Sequence, residues 1–447
     1  MPKYFGTDGV RAVAGQFPLV QDFVEKLGYA AVHEIKKNMP KGAKKTVILA
    51  EDSRASGPLL MSYLTTGINA AGFDVISIGV APTPAVSFLV QHLNLACGAV
   101  ISASHNPAEF NGIKFFDHTG AKIDEVLEEK IENILDATHK LPEKQNAEFS
   151  YDETLLLNYQ NFLVNTVPQN LLKDTKIVLD CANGATSKIA PMVFEALGAD
   201  IITIANTPNG KNINDNVGAL HIEKMQAAVK ENNAFCGFSF DGDGDRVIAA
   251  DEQGREIDGD HIISGVAKIL QAKKELKNNK VVLTIMANLA AINFLKDSGI
   301  DVELTGVGDK YVAQALIDGK LTLGGETSGH IIFNEISPTG DGILAALQML
   351  ACVKGANKKL SSFYDNWKKY PNVLTAVKVQ TKVPLEEVEG FNELAQDFEK
   401  QFNGKGRLVI RYSGTEPKLR ILAEGENEEL VNRAACELEK HFRERVK

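Results

Sequence analysis

A chain of 447 residues fits about three domains of roughly 150 residues each, and 44% hydrophobic with 24% charged residues suits a globular protein with several buried cores. The net charge of −10 argues against nucleic acid or an anionic membrane as a main partner, yet admits a phosphorylated ligand, which needs only a local positive site. No run approaches the ~20 apolar residues of a membrane span, Met1 to Val10 lack the apolar centre of a secretory signal, and five scattered cysteines without a Cys-x-x-Cys pair point to a reduced cytoplasm.

In chain order, a lysine-led apolar run recurs at Lys45–Ala50, Lys176–Asp180 and Lys280–Thr284. Each is followed by a helical segment ending in Gly, one residue, Asp and a second apolar run: Gly72–Ile76, Gly198–Ile202 and Gly299–Glu303. Glycine closes a helix in a left-handed turn, and Val and Ile suit strands buried on both faces. The pattern predicts three β-α-β units, hence parallel sheets covered by helices.

Polar residues 138–152, which include Pro142, read as a linker. Glu252–Glu256 reads as a hairpin-like turn, and Lys368–Pro371 as a third break. These divide the chain into α/β domains at 1–145, 146–254 and 255–369. The fourth, 370–447, lacks the repeat. Its strand Val373–Val379, helix Glu389–Phe402, strands Arg407–Arg411 and Lys418–Ala423 and final helix Glu428–Arg445 predict a small α+β domain.

Four loops carry chemically useful side chains. The first, Ile101–Pro107, follows the apolar run Gly98–Ile101 and puts Ser102 and Ser104 at the end of a buried strand, where α/β proteins place reacting groups. It lacks the Gly-x-Ser-x-Gly elbow of a hydrolase, and taken alone it reads as an ordinary turn before proline. Lys114 lies near enough to reach back towards it. In the second loop, Phe240–Arg246, Asp241, Asp243 and Asp245 alternate with glycines. Three such carboxylates repel one another unless a cation lies between them, and oxygen ligands favour Mg²⁺ or Ca²⁺. The spacing also matches an EF-hand with Glu252 at position twelve. However, Arg246 stands where that loop needs glycine, and the flanks read as strands, so an EF-hand is rejected. A phosphatase of the haloacid dehalogenase type, with Asp241 as nucleophile and Asp243 as acid, stays open, as does a solvated acidic turn. Beside a metal, the serine loop offers the acceptor oxygen that phosphoryl transfer requires.

The third loop, Gly324–His330, presents Glu326, Ser328 and His330 between glycines, which suits sugar hydroxyls. The fourth, Arg411–Pro417 with Arg420 beyond it, offers two arginines, two hydroxyls and a glycine-centred turn as a phosphate cradle.

Phe5–Arg11, Asp52–Arg54, Ser102–Pro107, Asp241–Arg246, Gly308–Asp309, Gly325–His330 and Arg411–Pro417 resemble, in order and over nearly the whole chain, the motifs of the α-D-phosphohexomutase superfamily, its amino-sugar branch most closely. The resemblance implies a heart-shaped enzyme in which three related α/β domains, with mixed and mainly parallel sheets, and a smaller C-terminal α+β domain each give one loop to a central cleft. It implies interconversion of glucosamine 6-phosphate and glucosamine 1-phosphate through glucosamine 1,6-bisphosphate, feeding amino-sugar nucleotide and cell-wall precursor synthesis. Glucose or mannose phosphates are the alternative substrates. Ser104 is implied as phosphoryl carrier, and Ser104, Asp241, Asp243 and Asp245 as Mg²⁺ ligands. Arg246, Glu326, Ser328 and His330 are implied as sugar contacts. Arg411, Ser413, Gly414, Thr415 and Arg420 are implied as holders of the non-reacting phosphate. Arg11, Lys114 and His330 are implied in charge stabilisation and proton transfer. The implied partner is a small phosphosugar, with neither nucleic acid nor membrane, and a homodimer is left open. The sequence departs from that branch at Ala12, Lys310, Thr327 and Tyr412, none of which removes an implied ligand.

Overall fold

The computed structural model describes residues 3–6, 8–143, 145–413 and 417–446. Their strands form four sheets. The three lysine-led runs are strands Lys44–Glu51, Lys176–Asp180 and Lys280–Thr284, each inside its own sheet. Each pairs in parallel with the strand after its helix: Asp74–Val80, Asp200–Ile204 and Asp301–Thr305. The glycines that close those helices, Gly72, Gly198 and Gly299, have φ of +80°, +91° and +75°, a region where a Cβ is strained.

On its other side each lysine-led strand pairs in parallel with a third strand: Leu95–Ile101, Cys236–Phe240 or Leu323–Gly325. That strand then turns back into an antiparallel partner: Phe110–Phe116, Val247–Ala250 or Ile331–Phe333. The serine loop, the acidic loop and the Gly324–His330 loop are the three connections at these turns. All three candidate loops therefore occupy one topological position, at the carboxyl end of a buried parallel strand.

The fold is thus three α/β domains with mixed, parallel-centred sheets, followed by a smaller antiparallel domain. In the latter, Asn372–Lys378, Lys418–Gly425 and Gly406–Tyr412 form the sheet and helices Phe391–Phe402 and Glu428–Arg445 cover it. The stretch 138–152, expected to be a linker, carries a strand instead. Phe149–Tyr151 pairs in parallel with Asp74–Val80, so the first sheet runs past residue 145. Its three side chains are all exposed at the sheet edge, which is why no apolar pattern marks it.

One buried apolar core runs without a break from Ile48 to Phe363 through the first three domains, whereas the fourth has a core of its own, built from residues between Val377 and Phe442. Among the described residues no helix is long and apolar enough to cross a membrane.

Candidate active site

The serine loop is held by buried polar contacts. Arg54, which is fully buried, donates from Nη2 to the carbonyls of Ser104 (3.0 Å) and Asn106 (2.8 Å) and from Nη1 to that of Phe110 (2.9 Å). Asp52 anchors that guanidinium through Nε at 2.9 Å. Asp52 also accepts from the Ser102 hydroxyl at 2.5 Å, and Ser102 Oγ in turn accepts the backbone N–H of Ser104 at 2.9 Å. Ser104 is held at φ +52°, a left-handed conformation uncommon outside glycine that such over-determination sustains. Its hydroxyl donates to Asp241 Oδ2 at 2.6 Å, across 137 residues of sequence. The two serines thus separate by role: Ser102 braces the loop, and Ser104 faces the acidic loop.

The acidic loop tips a hairpin whose last ladder pair is Phe240 with Val247, strands where an EF-hand has helices. Asp241, Asp243 and Asp245 are all buried, and each brings an oxygen within 4.8 Å of the others. Burial, with the charges of Asp243 and Asp245, pushes Asp241 well above the usual carboxylate range. Burial acts the same way on Asp245, but Lys114 and His330 outweigh it and hold that group well below. Asp243 Oδ1 and Asp245 Oδ1 are buried without a hydrogen-bond partner. Buried orphan carboxylate oxygens at this spacing fit a hard divalent cation. Gly242 permits the close approach, because a Cβ there would meet the Ser104 carbonyl at 2.5 Å.

Cations ring this cluster. Buried Lys114 lies 2.7 Å from Asp243 and 2.8 Å from Asp8. Arg11 pairs with Asp8. Asp8 sits on the N-terminal segment, which Glu132 ties down by accepting the N–H groups of Lys3, Tyr4 and Phe5. His330 places Nδ1 3.5 Å from Asp245 and Nε2 3.8 Å from Asp309. Burial lowers its basicity, but the Asp245 carboxylate outweighs that, and the imidazole is held above its ordinary value. Arg246 donates its backbone N–H to Asp241 Oδ1 at 3.2 Å and approaches His105 Nδ1 at 3.2 Å. Burial, then Arg246 and Arg11, lowers His105 to about 4, so a neutral imidazole stands 3.2 Å from Ser104 Oγ at pH 7.

Glu326, Ser328 and Arg246 line one pocket of about 400 Å³, which extends to Leu374 and Leu422 of the fourth domain. Ser328 Oγ donates to Glu326 Oε2 at 3.3 Å. Thr327 lines the same pocket, but its hydroxyl is spent on Asp260 at 2.9 Å.

In the fourth domain, Arg411 and Arg420 stand directly opposite each other on neighbouring strands. Burial and the Arg420 charge depress Arg411. Lys382 Nζ adds a third positive charge by donating to the Ser413 carbonyl at 2.8 Å. Gly414 and Thr415 lie outside the described residues.

All four domain models of phosphoglucomutase/phosphomannomutase match: domain I over residues 2–141, domain II over 158–254, domain III over 258–370 and the C-terminal domain over 374–441. The chain belongs to this family. It is 43% identical over 452 aligned residues to a phosphoglucosamine mutase of Finegoldia magna, covering 100% of this chain and 99% of that one. Its fold is similar to a phosphoglucomutase/phosphomannomutase family protein of Burkholderia thailandensis (TM-score 0.80, 21% identity, 99% and 98% of the chains). It is also similar to an Aspergillus fumigatus N-acetylphosphoglucosamine mutase in complex with GlcNAc-6P and magnesium (TM-score 0.65, 18% identity, 100% and 96%). The two structural likenesses show the fold alone.

Of the residues singled out in the sequence, this family member brings Ser104, Lys114, Asp241, Asp243, Asp245, Arg246 and His330 into one polar network, with Arg11 joined through Asp8. Glu326 and Ser328 lie in the adjoining pocket, and Arg411 and Arg420 on the separate sheet. Sequence reasoning missed Lys122, whose ammonium meets Asp8 at 2.8 Å, pairs with Asp309 and lies 3.9 Å from Asp245. It also missed Thr83, which donates to Asp243 at 2.6 Å. A lone lysine or threonine has no local signature; the sole signal for Lys122 was that Asp8 and Asp309 in the quoted motifs require cations.

Proposed function

We propose that this protein interconverts glucosamine 6-phosphate and glucosamine 1-phosphate through phosphorylated Ser104 and glucosamine 1,6-bisphosphate. The observation that carries the reading is the Ser104 hydroxyl, 2.6 Å from a buried aspartate of a three-carboxylate cluster with orphan oxygens. The relative at 43% identity supports the amino-sugar substrate. Asp241, Asp243, Asp245 and an oxygen of phosphorylated Ser104 would hold Mg²⁺, which neutralises charge developing on the transferred group.

In the first transfer the bond from Ser104 Oγ to phosphorus breaks as a bond from the sugar O1 forms. The O1 proton leaves for a general base, and Ser104 Oγ regains a proton. The bisphosphate then turns, and its O6 phosphoryl group returns to Ser104 with both proton movements reversed. Lys114, Arg11 and Arg246 supply fixed positive charge around the reacting group. Glu326 and Ser328 orient the sugar, while Arg411, Ser413, Gly414, Thr415 and Arg420 grip whichever phosphate is not reacting. Attack by Asp241, the phosphatase alternative, is disfavoured because its Oδ2 accepts the Ser104 hydroxyl. All five cysteines are free thiols, four of them buried, which suits a reducing cytoplasm.

The test is turnover of glucosamine 6-phosphate with Mg²⁺ and a trace of the bisphosphate. Glucosamine 1-phosphate should accumulate, with kcat/KM at least ~100-fold above that for glucose 6-phosphate or mannose 6-phosphate, about 2.7 kcal/mol in the transition state. Release of inorganic phosphate without isomerised product would favour the phosphatase instead.

A further inference from the structure

Asn288 stands where the third domain meets the fourth, 2% exposed, as the N-cap of helix Leu289–Asp297. Its side-chain amide uses every donor and acceptor it has. Oδ1 accepts from the N–H of Ala290 and of Tyr370, both at 3.1 Å. Nδ2 donates to the Tyr370 carbonyl at 3.1 Å and to Glu424 Oε1 at 2.8 Å. Four bonds is the full complement of an asparagine, and aspartate in its place would lose both donors. Tyr370 belongs to the crossing segment between the domains, and Glu424 to the central strand of the fourth.

The contacts continue in both directions. Glu424 Oε2 accepts the Leu289 N–H and Arg407 Nε, both at 2.9 Å, and Arg407 also donates to the Ala287 carbonyl. On the other side, the Asn288 backbone N–H donates to Asp260 Oδ2 at 2.8 Å, and the same oxygen accepts the Thr327 hydroxyl. Thr327 lies between Glu326 and Ser328. A continuous chain, Thr327–Asp260–Asn288–Glu424, therefore joins the sugar-reading loop to the sheet that carries Arg411 and Arg420. Because the fourth domain has its own apolar core, polar contacts of this kind set its attitude towards the other three.

We propose that Asn288, which lines the same pocket as Glu326 and Thr327, acts mainly as a positioning residue that fixes the fourth domain at the distance from the sugar-reading loop which lets one phosphosugar engage both. The proposal rests on the functional reading above. A substrate must satisfy the sugar loop and the distal phosphate site together. If the fourth domain samples many attitudes, apparent affinity falls by the fraction of time the two are in register. Ground and transition states pay alike once bound, so KM rises and kcat holds.

The experiment compares Asn288→Ala with the full-length wild-type enzyme, using glucosamine 6-phosphate as substrate and inorganic phosphate, too small to span two domains, as competitive inhibitor. The expected result is a KM raised ~10-fold or more, a kcat lowered less than ~3-fold, and an inhibition constant for phosphate within ~2-fold of wild type. An unchanged KM, or a phosphate constant that worsens in parallel, overturns the proposal, the latter marking a defect local to the fourth domain. Thr327→Val, at the far end of the chain, should raise KM in the same sense even if Asn288→Ala fails to fold. Where both are soluble, the double variant should be no worse than the worse single one, and fully additive effects overturn the coupling. Wild-type turnover in the same assay reports on the functional reading. If it is absent, the ratios are read from calorimetric binding of glucosamine 6-phosphate.

Discussion

Ser102 and Ser104 lie two positions apart in the same turn, and only tertiary contacts tell them apart. Ser102 Oγ bridges Asp52 and the Ser104 N–H, so Ser102→Ala leaves buried polar groups short of a partner, a cost of about 1–3 kcal/mol. That variant should melt earlier yet keep measurable turnover and phosphate on Ser104 by mass spectrometry. Ser104→Ala should be inactive whatever its melting temperature; phosphate on Ser102 alone would reverse the assignment. The acidic triad was legible because three carboxylates two residues apart repel without a cation. Lys122 was not, since its three carboxylate neighbours come from three separate segments. Glu51 gives a residue-scale test of electrostatics. Burial, then the Asp52 charge, raises its carboxyl to about 7, and Oε2 is buried without a partner. The folded state therefore binds this proton more tightly than the unfolded chain, so its contribution to stability declines as pH climbs from about 4.5 to about 7 and then levels off. Glu51→Gln removes the decline. Its stability relative to wild type should improve between pH 5 and pH 8, by up to about 3 kcal/mol in denaturant titrations; a constant difference would contradict the assignment.

At the scale of elements, the recurrence of one strand-and-turn arrangement places the serine, acidic and sugar-reading loops. It was readable because each unit repeats a lysine-led run and a Gly-x-Asp helix ending, patterns set by burial on both sheet faces and by left-handed helix closure. The final helix was expected over Glu428–Arg445 and lies there, its five buried residues spaced on one face. The strand Phe149–Tyr151 was unreadable for the opposite reason: at an exposed edge, pairing rather than burial defines it. Two hairpin tips meet where Gly242 approaches Ser104, and on the proposed mechanism this contact sets the geometry of transfer. Gly242→Ala would drive a methyl against the Ser104 carbonyl and the Asn214 amide, forcing the loops apart. Since displacements near 1 Å at a reacting centre cost roughly 100-fold, turnover should fall by about that factor and Mg²⁺ affinity should drop. The melting temperature should fall too, because the methyl also meets the buried Ile213 side chain at 2.9 Å. Near-normal turnover would show that the two tips tolerate separation.

For the whole molecule, the arrangement of cores decides which parts can move during turnover. Domains one to three share a continuous apolar core, and the candidate site is cross-braced among them by Lys114 with Asp243, Lys122 with Asp309, and His330 with Asp245. Sequence could divide the chain but not say which divisions are rigid, since that depends on side chains meeting across boundaries. On the proposed mechanism, with Ser104 fixed, O1 and O6 can be presented in turn only if the sugar itself rotates. The bisphosphate must then release its grip on one site while some part of the protein retains it. The facing Arg411 and Arg420, on a separately cored domain, are suited to that task, because each end of the intermediate carries the same dianionic group. Charge-assisted hydrogen bonds contribute about 1.5–3 kcal/mol, so Arg420→Ala should loosen the intermediate by roughly 10- to 100-fold. Escape would then compete with rotation, and each escape strands Ser104 without its phosphoryl group. The variant should show a lag in progress curves, and the added glucosamine 1,6-bisphosphate needed for half-maximal rate should rise at least ~10-fold. Saturating bisphosphate should restore much of kcat, because the reacting centre is untouched. If Arg420→Ala lowers kcat with no added need for bisphosphate, retention during rotation does not depend on the fourth domain, and the sugar must be held by Glu326 and Ser328 instead.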